Sequence, residues 1–233
     1  MRQFFVEQKL QLNDTVSFDS DQSHHIRDVL RMKSGDRVRL VDRENGVYLG
    51  ELSFDGSNVR AIVTERAEAS EDGNIICVAA LIKKDKWELM IQKACELGAS
   101  VIVPLVTKRT IIRLDDKEIN KKLERWNKIA LEACQQSNRT SICRVERPIS
   151  LREIEKYRQE VSLVAYENEQ NRRLRETLIS DEITFVVGPE GGFTEDEAAF
   201  LNEKGFVSVS LGRRILRAET AVMFVLSVIE GLK

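Results

Sequence analysis

The sequence predicts an α/β fold in which a small N-terminal β-barrel precedes a mostly parallel sheet covered by helices. Short alternating runs separated by polar turns fill residues 1–70, and longer apolar runs interleaved with amphipathic segments follow them. Near the C-terminus, two glycine-bearing turns each join a strand-like run to a helix-like run. These three observations are typical of a β-barrel followed by repeated β-α units. We therefore predict one domain over residues 1–71 and a second over residues 72–233.

The predicted barrel consists of four strands and one short helix. Asn, Asp and Gly residues separate the strand runs at 35–36, 45–46 and 55–56, where they favour tight turns. The helix is predicted over residues 24–32, and the polar stretch 68–74 marks the domain boundary. The strand runs read FFVEQ, DRVRLVD, GVYLGELSF and VRAIVTER.

In the second domain, buried-strand runs alternate with amphipathic helices. A strand buried on both faces of a parallel sheet is a continuous run of β-branched and apolar residues. The strand runs read IICVAALI, VIVPLVT, SLVAYE, ITFVVG and FVSVSL. The helical runs read KWELMIQKACELG, INKKLERWNKIALEACQQS and TEDEAAFLNEKG. A last run, residues 221–232, is apolar on nearly all faces and too short to span a bilayer, so we expect a helix covered on every side.

The two glycine turns are the strongest candidates for a ligand site. The first, VVGPEGGFTEDE from Val186, ends a buried strand and starts a helix through the capping box Thr194–Glu197. The second, SLGRRILRAETA from Ser210, follows the next strand. A single turn of this kind is equally well explained as ordinary punctuation between a strand and a helix. Two of them at the carboxyl ends of consecutive strands favour a site, because open α/β sheets bind ligands there.

The turns do not indicate a phosphate ligand. Neither GxxxxGK[ST] nor GxGxxG followed by a distant acidic residue occurs. Glu190 lies inside the first turn, where its negative charge would repel a phosphate and suit a cation. The pattern predicts a small uncharged or cationic ligand held by backbone groups.

Neither the cysteines nor the histidines form a recognisable metal or nucleophile motif. The cysteines, which have no CxxC spacing, are Cys77, Cys95, Cys134 and Cys143. We expect reduced, mostly buried thiols and no metal site. The start, MRQFFVEQKL, is too short and charged for a signal peptide, and no apolar run reaches membrane-spanning length. We therefore expect a cytoplasmic protein with no membrane partner.

Basic residues are concentrated in the middle of the chain. The net charge is only −2, but residues 83–147 contain fifteen Lys or Arg against nine Asp or Glu. Local basic surface is what contacts with nucleic-acid phosphates require. Solvated helix faces with i, i+4 ion pairs explain any single one of these residues equally well.

The combination VGPEGGFTEDE and LGRRILRAETA is similar to the cofactor-binding signature of the RsmE-type ribosomal RNA uridine N3-methyltransferases, which belong to the knotted SPOUT class. Three further segments resemble the family in the expected order: HHIRDVLRMKSGDRV, KDKWELMIQKACELGAS and EACQQSNR. The last departs from the family pattern, since Gln135 stands where Glu is usual and the Val-Pro after Arg139 is missing.

The resemblance implies a PUA-like RNA-binding barrel followed by a trefoil-knotted α/β methyltransferase domain. It also implies S-adenosylmethionine as cofactor, N3 of a uridine in small-subunit ribosomal RNA as target, and a homodimer. The substrate is the free RNA or the assembled 30S subunit. Two alternatives stay open: a knotted methyltransferase for another RNA or base position, and a non-catalytic RNA-binding assembly factor.

The resemblance further implies the site residues. Those expected to bind the cofactor are Gly188, Pro189, Glu190, Gly191, Leu211, Gly212, Ile215, Leu216, Arg217, Glu219, Thr220 and Ala221. The expected catalytic residues are Arg217, Glu190 and Gln136. Ile215 and Leu216 fit a plain core role equally, Thr220 fits an N-cap, and Glu190 is either the general base or the partner of Arg217.

Four residues are candidates for contact with RNA. Gln136 and Arg139 lie three apart at a helix end, where one reads the uracil edge and the other a phosphate if the helix continues. Arg27 and Arg31 lie four apart on the face of the short helix. Exposed polarity at a helix end, or pairing of Arg27 with Asp28, explains these residues as well.

Overall fold

The computed structural model describes residues 1–69, 72–112, 114–178 and 180–232. The chain divides into two compact units. One contains Met1–Glu71 together with Gln135–Ser141, and the other contains Asp72–Cys134 together with Ile142–Lys233. Within the described ranges, no helix is both long and apolar enough to cross a membrane.

The N-terminal unit is built on a five-stranded sheet. Its strands are β1 (Arg2–Phe5), β2 (Thr15–Ser17), β3 (Arg37–Val41), β4 (Val47–Asp55) and β5 (Asn58–Ala67). Their order is β1-β3-β4-β5-β2, with β1 parallel to β3 and the other pairs antiparallel. The four predicted strands form, and β2 was not predicted because three residues are too few to show alternation. Alternate side chains from these strands build one buried core around Phe4, Val16, Leu40 and Leu52.

The predicted helix over residues 24–32 is wrong at both ends. Helix α1 covers Ser20–His24 and continues as a π-helical turn over His25–Val29. It begins early because Asp19 and Gln22 form a capping box, in which the Asp19 carboxylate accepts from the Gln22 N–H at 2.8 Å. It ends early because Arg31 adopts a left-handed backbone with φ 54°. Arg27 and Arg31 therefore do not share a helical face.

The C-terminal unit is an α/β structure, as predicted, and the sheet that was predicted to be mostly parallel is parallel in every strand pair. Its strands are β6 (Asn74–Ala80), β7 (Val101–Val106), β8 (Arg144–Val145), β9 (Ile149–Ser150), β10 (Val161–Ala165), β11 (Glu182–Val187) and β12 (Val207–Val209). Their order is β12-β10-β11-β6-β7-β8, with β9 also paired to β7. The helices are α2 (Lys84–Glu96), α3 (Asp116–Gln136), α4 (Glu195–Glu203) and α5 (Ala218–Glu230), with 3-10 helices at Leu151–Tyr157 and Leu174–Glu176.

The described residues do not cover helix α5 on every side. The helix packs against α2 and strands β6 and β11, and its buried apolar residues are Ala218, Ala221, Val222, Val225, Leu226 and Ile229. Phe224 on the other side is 39% exposed. The expected uniform burial is wrong for the single chain, because the sheet and α2 cover only one face of the helix. Arg217, not Thr220, is its N-cap residue.

A buried side chain joins segment 135–141 to the first strand of the N-terminal unit. Gln3 on β1 is 3% exposed and donates from Nε2 to the carbonyl oxygen of Arg139 at 2.7 Å. Its Oε1 accepts from the Arg39 Nε at 2.9 Å. A guanidinium can only donate, so this bond determines which end of the Gln3 amide faces Arg139.

We expect Gln3→Leu to lower the free energy of unfolding by about 1–3 kcal/mol, because the buried Arg139 carbonyl oxygen and the half-buried Arg39 guanidinium each lose a hydrogen bond. Urea unfolding measures the change. The matched control is Thr64→Val, which removes the solvent-exposed bond from Thr64 Oγ1 to the Leu49 carbonyl oxygen and should cost less. Equal losses in the two variants would contradict a special role for Gln3.

Candidate functional site

A cleft of about 300 Å³ lies where β10, β11 and β12 end. Three loops line it: residues 165–167 after β10, residues 187–193 after β11, and residues 210–216 before α5. Ala218 and Ala221 of α5 complete the wall. Both predicted glycine turns therefore contribute to one cavity.

The first glycine turn is shaped by close backbone contacts. A Cβ on Gly188 would lie 3.1 Å from the Phe193 ring, and one on Gly192 would meet the Glu167 carboxylate. Gly192 also has a left-handed φ of 68°, and its N–H donates to the Pro189 carbonyl oxygen at 2.9 Å. The turn is thus closely packed at Gly188 and has at Gly192 a conformation that favours glycine.

The predicted capping box after this turn forms. The Thr194 hydroxyl accepts from the Glu197 N–H at 3.2 Å, and the Glu197 carboxylate accepts from the Thr194 N–H at 2.9 Å. Helix α4 therefore starts directly after the turn and holds its C-terminal end.

The second turn is held by the segment 172–174. The Ser210 N–H donates to the Arg172 carbonyl oxygen at 2.8 Å, and the Leu174 N–H donates to the Ser210 carbonyl oxygen at 3.3 Å. Gly212 adopts φ 120°, a conformation that favours glycine. Ile215 is 90% exposed, so the alternative that it is a core residue is wrong.

Nine of the twelve predicted cofactor residues line the cleft: Gly188, Pro189, Glu190, Gly191, Leu211, Gly212, Ile215, Leu216 and Ala221. The other three lie at the start of α5, outside the lining. Arg217 is exposed, as is Thr220. Glu219 is 9% exposed and lies 3.7 Å from Lys86 Nζ through Oε1, while its buried Oε2 has no hydrogen-bond partner among the described residues. The binding roles of all twelve stay predictions.

Glu190 and Arg217 do not pair with each other. Both side chains are exposed, and no ion pair joins them in the described part of the chain. The alternative in which Glu190 is the structural partner of Arg217 therefore finds no support in the geometry.

Sequence reasoning missed the third loop of the cleft. Ala165, Tyr166 and Glu167 line it directly after β10. The sequence predicts the strand SLVAYE, and only the polar residue at its end could have indicated a site there. The order of the strands in the sheet is not visible in the sequence: β10 precedes β11 in the chain but lies between β11 and β12 in the sheet.

The predicted shared face of Gln136 and Arg139 is wrong. Helix α3 ends at Gln136, and Asn138 has a left-handed φ of 58°. Gln136 is exposed, whereas Arg139 is 5% exposed and donates from Nη2 to Ser141 Oγ at 3.3 Å. In this conformation the Arg139 guanidinium does not face solvent as a phosphate contact would require.

Arg27 is hydrogen-bonded to its neighbour Asp28. This pairing is the alternative to RNA contact that the sequence left open. The Arg27 Nε and Nη2 donate to the two carboxylate oxygens at 3.0 and 2.8 Å. His24 Nδ1 lies 2.6 Å from the same carboxylate. Arg31 is exposed.

All four cysteines are buried. Burial raises the pKa of the Cys77 thiol well above its ordinary value, which disfavours a reactive thiolate. Within the described ranges, no group of three or more His, Cys, Asp or Glu side chains could hold a metal ion.

The pairing of Asp28 with Arg27 and His24 changes how the Asp28 carboxyl titrates. Hydrogen bonds from Arg27 and then His24 lower its pKa from 3.8 to about 2. Because the folded pKa is depressed, the stabilising contribution is present above the unfolded pKa and is lost as the pH falls through about 2. We expect a carboxyl-carbon NMR titration to give this low value in the wild type and a clearly higher one in Arg27→Ala. An unchanged value in the variant would contradict the pairing.

Comparisons with known proteins agree with this geometry. A family model described as RNA methyltransferase domain matches residues 69–230, and one described as RNA methyltransferase PUA domain matches residues 18–63. The chain is 34% identical to the ribosomal RNA small subunit methyltransferase E of Bacillus subtilis, over 98% of this chain and 96% of the relative. It is also 34% identical to the enzyme of that name from Rickettsia conorii, over 94% and 91%.

Solved structures show the same fold. A ribosomal RNA small subunit methyltransferase E from Neisseria gonorrhoeae, bound to S-adenosyl methionine, is 29% identical with a TM-score of 0.90, over 100% of this chain and 98% of that one. A Legionella pneumophila protein solved with the bound cofactor SAM is 26% identical with a TM-score of 0.89, over 99% and 97%. The predicted fold class, a PUA-like part followed by an α/β methyltransferase domain, is confirmed. The chain belongs to the ribosomal RNA small subunit methyltransferase E family.

Proposed function

We propose that this protein methylates N3 of a uridine in small-subunit ribosomal RNA, with S-adenosylmethionine as the methyl donor. The observation that carries the proposal is the single cleft built by both glycine turns, in a chain whose similar solved structures hold that cofactor. Bound S-adenosylmethionine would supply an electrophilic methyl group on a positively charged sulfur.

The residues of the cleft fit this cofactor. Nothing lies within 4 Å of the place where a Cβ on Gly212 would be, so this backbone is open to a ligand, and the volume of about 300 Å³ suits a small molecule. Two acidic side chains, Glu167 and Glu190, and two arginines, Arg213 and Arg214, line the cleft, so the formal charges of its lining balance. Leu211, Leu216 and the exposed Ile215 offer apolar surface for the adenine ring.

The uracil chemistry requires that the N3 proton leave and that charge on the flanking carbonyl oxygens be stabilised. We assign the second task to Arg217. Its exposed guanidinium has no carboxylate partner among the described residues, so its donors are available to a uracil oxygen. Glu190 is the proposed proton acceptor, and Gln136, exposed at the end of α3, is proposed to read the base edge.

The RNA surface is proposed to include Arg31, whose side chain is exposed. Arg27 would first have to leave Asp28, which makes it a weaker phosphate contact. Arg139 is proposed to act on RNA binding indirectly, by holding the segment that carries Gln136. Residues 1–71 would then act in RNA binding and residues 72–233 as the knotted catalytic domain of a cytoplasmic enzyme whose substrate is the free RNA or the 30S subunit.

The proposal is tested by calorimetry with S-adenosylmethionine and by nucleoside mass analysis of ribosomal RNA from a deletion strain. We expect cofactor binding, loss of one N3-methyluridine in the deletion strain, and its return on complementation. Cofactor binding without any change in the RNA would support another RNA or base position. Failure to bind the cofactor would overturn the enzyme assignment.

Replacing Arg217 by Ala should lower kcat by about 100-fold, the usual cost of losing a donor to a developing oxyanion, while cofactor affinity stays near that of the wild type. Single-turnover methylation measures the rate. Arg152→Ala is the matched control, since Arg152 is likewise an exposed arginine but lies in the 3-10 helix Leu151–Tyr157 and not at the start of α5. Glu190→Gln in the same assay tests the proton acceptor: an unchanged rate across pH would exclude that role.

We also propose a homodimer in which a second copy covers the open face of α5. The support is the exposed aromatic ring of Phe224 on a helix whose other face is buried. Light scattering should give twice the mass of one chain, and Phe224→Glu should shift it to a single chain without loss of fold. A wild type that remains a single chain at working concentration would contradict the dimer.

A further inference from the structure

Two threonines hold the start of the loop between β7 and α3. The Thr107 N–H donates to Thr110 Oγ1 at 2.9 Å, and the two hydroxyl groups lie 3.0 Å apart. Both threonines are 4% exposed. Buried and paired in this way, residues 107–110 form a rigid support that projects the intervening side chains in defined directions.

A buried carboxylate ties this loop to the first glycine turn. Glu197 is 3% exposed, and beyond its capping bond to Thr194 it accepts from the Lys108 N–H through Oε1 at 2.8 Å. The residue that starts α4 therefore also fixes the loop. Both of its oxygens are used for backbone donors, which a buried carboxylate needs.

Arg109, in the same loop, contacts the first glycine turn directly. Its Nη1 donates to the carbonyl oxygen of Gly191. Its aliphatic part lies along the same residue, since a Cβ on Gly191 would be 3.3 Å from Arg109 Cδ. The side chain is thus both packed on the turn and bonded to it.

These contacts restrain one particular peptide group. The peptide between Gly191 and Gly192 has its carbonyl oxygen bonded to Arg109 and its N–H bonded to the Pro189 carbonyl oxygen. A peptide between two glycines has little steric resistance to rotation, because neither residue has a Cβ. Without Arg109, only the N–H side of this peptide is held.

We propose that Arg109 is a positioning residue that holds the Gly191–Gly192 peptide in the orientation required to bind the cofactor. This inference rests on the proposed function. A turn that is ordered before binding does not lose affinity to the entropy of ordering. A lysine cannot replace the arginine, because its single ammonium lacks the planar fork and extended packing surface of a guanidinium.

The first test is calorimetry with S-adenosylmethionine on Arg109→Ala and Arg109→Lys. We expect both to weaken cofactor binding by about tenfold or more, as for the loss of a charge-assisted hydrogen bond. The KM for RNA and the melting temperature of the free protein should be unchanged. Lys108→Ala is the matched control, since it keeps the backbone N–H to Glu197 and loses only an exposed pair with Asp196.

The second test is a double-mutant cycle with Gly191→Ala. Gly191 does not have a positive φ, so alanine is compatible with its backbone and its cost should come from the contact with Arg109. We expect Gly191→Ala to weaken cofactor binding in the wild type and to weaken it much less in the Arg109→Ala background.

The outcomes separate the two proposals. If the wild type binds the cofactor and Arg109→Ala binds it equally well, the positioning role is overturned and the proposed function stands. Additive effects in the cycle, or a change in kcat with unchanged cofactor affinity, would also overturn it. If the wild type does not bind the cofactor, the proposed function fails and the inference fails with it.

Discussion

The level at which three parallel strands end is the constraint on which the functional site depends. The last residue of β10, Ala165, is in register with the last residue of β11, Val187, and with the last residue of β12, Val209. Three loops therefore leave the sheet side by side. A shift of register by one residue would exchange the two faces of a strand and separate its loop from the others.

The site that follows is built mainly from backbone. A side chain on Gly188 would crowd the Phe193 ring, and Gly192 has the left-handed φ of 68° that favours glycine. Phosphate sites in similar folds also use glycine turns, but they add cations and helix N-terminal donors. Here two carboxylates, Glu167 and Glu190, and two arginines, Arg213 and Arg214, line the cleft. The charges of this lining balance, so the cleft lacks the excess of cations that a phosphate site provides.

Local sequence patterns correctly predicted the features that depend on residues close together in the chain. The five longer strands of the parallel sheet, the helices α2 to α5 and the capping box at Thr194 were all readable, because periodicity and capping act within a few residues. Features that depend on contacts between residues far apart in the sequence were not predicted. Tyr166 and Glu167 join the site through strand order, and Arg139 is buried partly because Gln3, far away in the sequence, bonds its carbonyl oxygen. The apolar run 221–232 correctly predicted a helix, but its composition did not show that the Phe224 side chain would be exposed.

Segment 135–141 belongs to the N-terminal unit although residues 72–134 separate it from the rest of that unit. During synthesis on the ribosome, Gln3 and Arg39 therefore emerge long before the carbonyl group that completes their hydrogen-bonded chain. The first unit to be translated is therefore not complete when residue 71 has been made. Its final packing waits until the whole of α3 has left the exit tunnel, by which time much of the second unit has also been made.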